Sequence, residues 1–233
     1  MTEASLAQPF SELHNVAPSQ AVSYLRALTP KVIRHELANV LSNPKSLSHV
    51  ASSSYLHDNG FYKIVLRRNC SSSLTLRLHF WSGRDYLEGN VHNHRWRFSS
   101  LILHGKIVEE IFSMCPGGNE HRYRYRNANE SPYSLRHVSR ARLRLLRTNQ
   151  WLPGQVYERT EAELHRVSVR GSKPTATLVV CHPKTRDESD VVSVTEALQE
   201  IHTTNPALAG ATVEKILSQT LSILGTYEAS RFA

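Results

Sequence analysis

The chain has 233 residues, 40% of them apolar, and carries 28 lysines and arginines against 20 aspartates and glutamates, a net charge of +8. That length suits one domain with appendages and a core that needs no staples; Cys70, Cys115 and Cys181 are odd in number, far apart and without a C-x-x-C pair, which argues against a disulfide framework and a thiolate zinc site. The start, MTEASLAQPFSELHN, has no basic segment followed by an apolar core, and nowhere do about 18 uncharged apolar residues run together, so a soluble, cytoplasmic protein with no membrane partner is expected.

In chain order, a helix is expected over Gln20 to Leu28. A second begins at Thr29-Pro30, an N-cap followed by a first-turn proline, and carries Val32, Ile33, Leu37, Val40 and Leu41 at helical spacing until Asn43-Pro44. From Gly60 to about Pro183 the period changes to two. LTLRLHFW sets Leu74, Leu76, Leu78 and Phe80 on one face, and the segments around His92 to His104, His121 to Arg126, Ala141 to Leu146 and Ala176 to Val180 behave alike. Short strands punctuated by turns such as Ser82-Gly83-Arg84-Asp85 and Cys115-Pro116-Gly117-Gly118-Asn119 predict an antiparallel sandwich or barrel.

After Ser189 helices are expected to return, first with a capping box of Ser193 and Glu196. A second, amphipathic helix with Val213, Ile216, Leu217, Leu221 and Leu224 follows Asn205-Pro206. The organisation read from this is 1–58 N-terminal helices, 59–185 β barrel and 186–233 C-terminal helices. Positive charge concentrates in His121-Arg122-Tyr123-Arg124-Tyr125-Arg126 and Arg140-Ala141-Arg142-Leu143-Arg144-Leu145. Both alternate, so as strands each puts arginines on one face; solvated outer faces are expected, and nucleic acid is not an expected partner.

The stretch GNVHNHRWRF carries His92 and His94 one residue apart in a β-like run. On a strand they face the same way as Trp96 and Phe98, inward, while Arg95 and Arg97 face away toward solvent or salt bridges. Two imidazoles on one strand face can share a cation; buried without partners, their nitrogens would cost about 1–3 kcal/mol each. The alternative is an exposed edge with solvated rings. His104 has the same parity but lies far along the chain and is left out as a ligand.

GQVYERTEAELH, residues 154–165, resembles the second box of the cupins, keeping its Gly154 and His165 while Thr160 and Ala162 replace an inner proline and glycine. GNVHNHRWRFSSLILHG resembles the first, with His92, His94 and a closing Gly105. The resemblance implies a mainly β cupin double-stranded β-helix (jelly-roll) barrel with helical N- and C-terminal extensions, and His92, His94 and His165 as ligands of one metal. Phe98 and Ser99 stand where most cupins place a glutamate. This three-histidine pattern is most similar to the cysteine dioxygenase branch, with which LRLHFWSG, GFYKIVL and LHRV also agree.

That branch holds its substrate carboxylate with an arginine where Lys63 stands here, a point charge in place of a planar fork. Ser99 matches its thioether cysteine, and Val179 and Cys181 stand in for the histidine and tyrosine of its thiol-oxidising relay. The resemblance therefore implies a non-haem Fe(II)-dependent oxygenase using O2 on a small polar, anionic substrate other than cysteine. Nickel, zinc, copper and manganese remain open to the same ligands. Lys63, Trp96, Ser99 and Cys181 are the expected substrate contacts, and Tyr62 and Tyr157 the expected catalytic residues. Two other readings are a metal-dependent cupin lyase or isomerase and a non-catalytic small-molecule-binding cupin.

Overall fold

The computed structural model describes residues 10–69, 73–83, 89–127, 133–169, 171–194 and 200–229. Two 3-10 turns, Ser11–Asn15 and Pro18–Gln20, precede α1 (Ala21–Ala27), α2 (Pro30–Ser42) and α3 (Pro44–Ser52). Thr29 caps α2 by accepting from the Val32 amide at 3.3 Å. Asn43 ends α2 and caps α3, its Oδ1 accepting from the amides of Lys45 and Ser46 at 3.0 and 3.1 Å, so the Asn-Pro pair that stops one helix starts the next.

The strands are β1 (Tyr55–Leu56), β2 (Tyr62–Arg68), β3 (Thr75–Trp81), β4 (Val91–His92), β5 (Phe98–His104), β6 (Ile107–Asn127), β7 (Tyr133–Trp151), β8 (Val156–Arg159), β9 (Leu164–Val169), β10 (Thr175–Cys181), β11 (Glu188–Ser193) and β12 (Glu200–Thr203). They form two sheets, β1-β2-β3-β10-β5-β8 and β11-β4-β9-β6-β7-β12. Counting β3 to β10 as one to eight, the inner orders are 1-8-3-6 and 2-7-4-5, the alternation of a double Greek-key jelly roll.

The alternating leucines of β3 do not fill the barrel. Leu74, Leu76, Leu78 and Phe80 are fully buried on its outer side, where Ile64, Leu101, Leu178 and Val180 join them against Leu25, Ile33 and Leu37 of the N-terminal helices and Val213, Ile216 and Leu217 of α4 (Gly210–Ala229). The main apolar core thus lies between a sheet and a helical layer, and the opposite face of β3 turns Arg77, His79 and Trp81 into the barrel.

Three expectations need correction. Cys115 to Asn119 is a bulge and not a turn: Pro116 and Glu120 both lie opposite Ala141, Gly117 and Gly118 take φ of 76° and 104°, and β6 continues to residue 127. An L side chain disfavours those angles, so the glycines absorb the extra residues. Second, residues 188–193 and 200–203 are strands. β11 pairs with β4 and with the far half of β6, a pairing partner that local helix signals such as Ser193 cannot reveal; Glu196 lies outside the described residues. Third, β1 pairs with β2, and Tyr55, His57 and Asp58 line the barrel cavity, so 55–58 belongs with the barrel and not with the N-terminal helices.

Candidate metal centre

His92 and His165 are direct cross-strand partners on β4 and β9. Beyond His92 the strand ends, and residues 93–97 cross the barrel mouth as irregular chain. That crossing is fastened to the 182–190 segment. The Asp190 amide donates to Asn93 Oδ1 at 2.6 Å, the Asn93 amide to the Asp190 carbonyl at 3.1 Å, and the Thr185 and Arg186 amides to the Arg95 carbonyl at 2.9 and 3.2 Å. These bonds place His94 beside the other two rings.

The three ligand atoms lie within 4.8 Å of one another, and the Nε2 atoms of His94 and His165 are 2.9 Å apart. His92 Nδ1 is 2.9 Å from the Asn90 carbonyl. A carbonyl can only accept, so Nδ1 carries the proton and Nε2 keeps its lone pair. His165 Nδ1 lies 3.0 Å from Glu109 Oε1, which fixes the same tautomer. Burial, then the neighbouring His165, lowers the pKa of His92 to about 4, and burial followed by His92 and His165 pushes His94 well below its ordinary range.

Glu109 has no solvent exposure. Burial alone would raise its pKa, but hydrogen bonds from His165 and Arg159 outweigh this and hold it at about 2. Arg159 donates through Nε at 2.7 Å and through Nη2, and the Trp151 indole donates at 2.9 Å. A buried carboxylate that fixes a ligating imidazole is the usual support of a metal site.

The donor set fits a divalent ion. Nitrogens about 2.1 Å from one ion and near a right angle apart lie about 3.0 Å from each other, which matches the His94–His165 spacing.

The rings open onto a cavity of about 180 Å³. Lys63, Arg77 and Arg95 line it against one carboxylate, Asp58, among the described residues. Lys63 Nζ donates to the Tyr55 hydroxyl, and Arg77 and Arg95 lie 5.1 and 5.2 Å from the Trp96 ring centroid. His57 and His79 flank Phe61 at 4.6 and 4.5 Å. Burial first, then Lys63, pushes both below the ordinary histidine range and keeps them neutral.

No family model and no curated protein matches the chain. Among solved structures, it is similar to an RmlC-like cupin from Shewanella frigidimarina NCIMB 400 (12% identity, TM-score 0.35, 57% of this chain and 86% of that one). It is also similar to the hydroquinone 1,2-dioxygenase from Sphingomonas sp. TTNP3 with 4-hydroxybenzoate bound (10%, 0.36, 60% and 73%) and to hydroquinone 1,2-dioxygenase PnpCD in complex with Cd2+ and 4-hydroxybenzonitrile (11%, 0.36, 66% and 77%). Such likenesses carry no role over to this chain, and the architecture rests on its own strand order. The barrel is a double-stranded β-helix of the jelly-roll kind.

Of the residues singled out in the sequence, Lys63, Trp96, Tyr157 and Cys181 line the cavity. Tyr157 is buried and stacked on Trp151 at 4.8 Å; burial, then Glu109, raises its phenol above the ordinary range and keeps it protonated. Ser99 and Tyr62 do not line it. On β5 the alternation turns Phe98 and Ser100 inward, so Ser99 faces away, fully buried and donating to Glu158 Oε1 at 3.1 Å. Tyr62 packs on the helix-side core. Arg95, expected outside, is inside because the irregular chain after His92 no longer alternates; Arg97 is exposed as expected.

Sequence reasoning missed Glu109, Arg77, His57 and His79. Glu109 had a readable signal, a lone carboxylate between Ile107 and Ile111 on the buried face of a strand. Arg77 and His79 lie on the face of β3 opposite its leucines, and which of the two faces looks inward is set by the helices that cover the other.

Proposed function

We propose that this cupin barrel is a non-haem Fe(II)-dependent oxygenase that uses O2 on a small anionic substrate of the amino-acid or organic-acid kind. The observation that carries the reading is the juxtaposition, in one cavity, of three converging imidazoles with three buried cations. When bound, the metal supplies the redox chemistry and a place where substrate and O2 meet. His92, His94 and His165 hold it, with lone pairs aimed by Asn90 and Glu109. Lys63, Arg77 and Arg95 favour an anion through their summed field, Lys63 acting as a point charge. Trp96 and Cys181 shape the cavity, and Tyr157, kept protonated, is a hydroxyl donor for substrate.

The test is metal analysis of protein purified without added metal, followed by O2 consumption of the Fe(II)-loaded protein with a set of amino acids and organic acids. Iron retention that is lost in His92→Ala, His94→Ala and His165→Ala, together with acid-dependent O2 uptake, is expected. Metal content unchanged in all three variants defeats the ligand assignment. Turnover of an acid without O2 uptake would assign the barrel to lyase or isomerase chemistry instead.

A further inference from the structure

The basic strand that the metal centre leaves unused is β7. One of its edges is bonded to β6 along the whole length, whereas the other pairs with β12 only between Tyr133 and Arg136. From residue 137 to 151 that second edge meets no strand among the described residues, a span of about 50 Å at 3.4 Å per residue. An open edge presents a row of backbone donors and acceptors to any strand that can reach it.

The side chains on this edge have a regular charge pattern. Val138, Arg140, Arg142 and Arg144 are exposed, and the residues between them, Ser139, Ala141 and Leu143, turn inward. Neighbouring arginines have carboxylate partners: Arg122 and Arg124 pair with Asp190, Arg147 with Glu163 and Arg166 with Glu110. Among the described residues, no carboxylate pairs with Arg140, Arg142 or Arg144. Just beyond them a register shift between Ile111 and Phe112 lets Leu145 and Leu146 emerge 49% and 52% exposed. β7 itself holds five arginines and no acidic residue.

We propose that the outer edge of β7 docks an acidic, extended segment of a partner protein, which adds to the sheet as a further strand. Arginines at every second residue match carboxylates at every second residue of an added strand, since both repeat at about 7 Å. The edge that no described strand meets supplies the main-chain bonds and the exposed leucines supply apolar contact. A second copy of this chain is disfavoured, because antiparallel pairing centred on Arg142 sets arginine against arginine. A nucleic-acid track is disfavoured as well. Tyr133 is buried and the Trp151 indole is bonded to Glu109, so β7 offers no exposed ring for stacking bases.

The test uses the full chain and a fluorescent twelve-residue peptide of alternating glutamate and valine, followed by anisotropy. Saturable binding is expected, about tenfold or more weaker in the Arg142→Glu, Arg144→Glu double variant and weakened likewise by salt. The same peptide N-methylated at alternate backbone amides should not bind. Both arginines are exposed, so the double variant should keep the parent's thermal midpoint and metal content, separating lost docking from lost folding. Absence of peptide binding, or equal binding of the N-methylated peptide, overturns strand addition. Tighter binding of single-stranded DNA through the same arginines, or a dimer that the double variant dissolves, overturns the choice of partner.

Discussion

The sheet β1-β2-β3-β10-β5-β8 has two faces with opposite tasks. Its outer face packs Leu74, Leu76, Leu78 and Phe80 against helices. Its inner face sends Lys63, Arg77, His79 and Trp81 into the cavity beside the three histidines. In this barrel the interior holds a polar-lined cavity, and a helical layer outside the sheet takes over much of the apolar burial. Stability and chemistry are therefore carried by alternate residues of the same strands, and substitutions on the two faces should separate them.

The largest effect is expected at the inner site. His165→Ala removes a proposed ligand, and metal affinity should fall by at least about 100-fold, as read by competition with a chromophoric chelator. Metal affinity within threefold of the parent would break the proposed division of labour. On the outer face, Leu78→Ala leaves a cavity in a fully buried position and should lower unfolding free energy by about 2–5 kcal/mol in denaturant titration, with metal stoichiometry unchanged. Loss of metal together with stability would show that the faces are not independent.

Glu109→Gln should weaken metal binding by about 10- to 100-fold while the three imidazoles remain. It should also lower stability, because Arg159 keeps its buried charge without the carboxylate. A variant that binds metal as tightly as the parent would remove Glu109 from the site.

The metal-free protein should lose stability on acidification. The unfolded chain takes up the His92 proton near pH 6.5 and the folded protein only near pH 4. The unfolded state therefore binds more protons in that window, and stability, full above about pH 6.5, falls as pH drops toward 4. His94, His57 and His79 shift in the same direction. A urea midpoint that does not change between pH 7.5 and pH 5 would show these rings to be solvated. Smallest of all, Tyr62→Phe should change stability by less than about 0.5 kcal/mol and leave turnover alone, since Tyr62 sits on the packing side. A fall in turnover would return it to the cavity.

The local signals were legible where one neighbour decides the outcome. Thr29-Pro30 and Asn43-Pro44 set their helix boundaries, and the His92 and Gly105 spacing marked the ligand strand and the turn after β5, where Gly105 takes φ of 79° and a side chain would run into Thr175. The site was half legible. His92, His94 and His165, singled out by residue type and spacing, converge; Lys63, Tyr157 and Cys181 lie on strand faces that turn into the cavity, and Trp96 enters it from irregular chain. Ser99, Tyr62 and Arg95 were misread because parity says that neighbours face opposite ways but not which way is in, and it lapses where a strand ends.

The sequence by itself determined the period of each segment, the helix caps and the residue types able to hold a metal, since these follow from backbone geometry and side-chain chemistry within a few positions. Only the tertiary structure decided that the leucine face of β3 looks outward, that β11 closes on β4 and β6, and that Glu109 stands behind His165. Each of these depends on which distant segment covers a face or meets an edge, and no local preference encodes that.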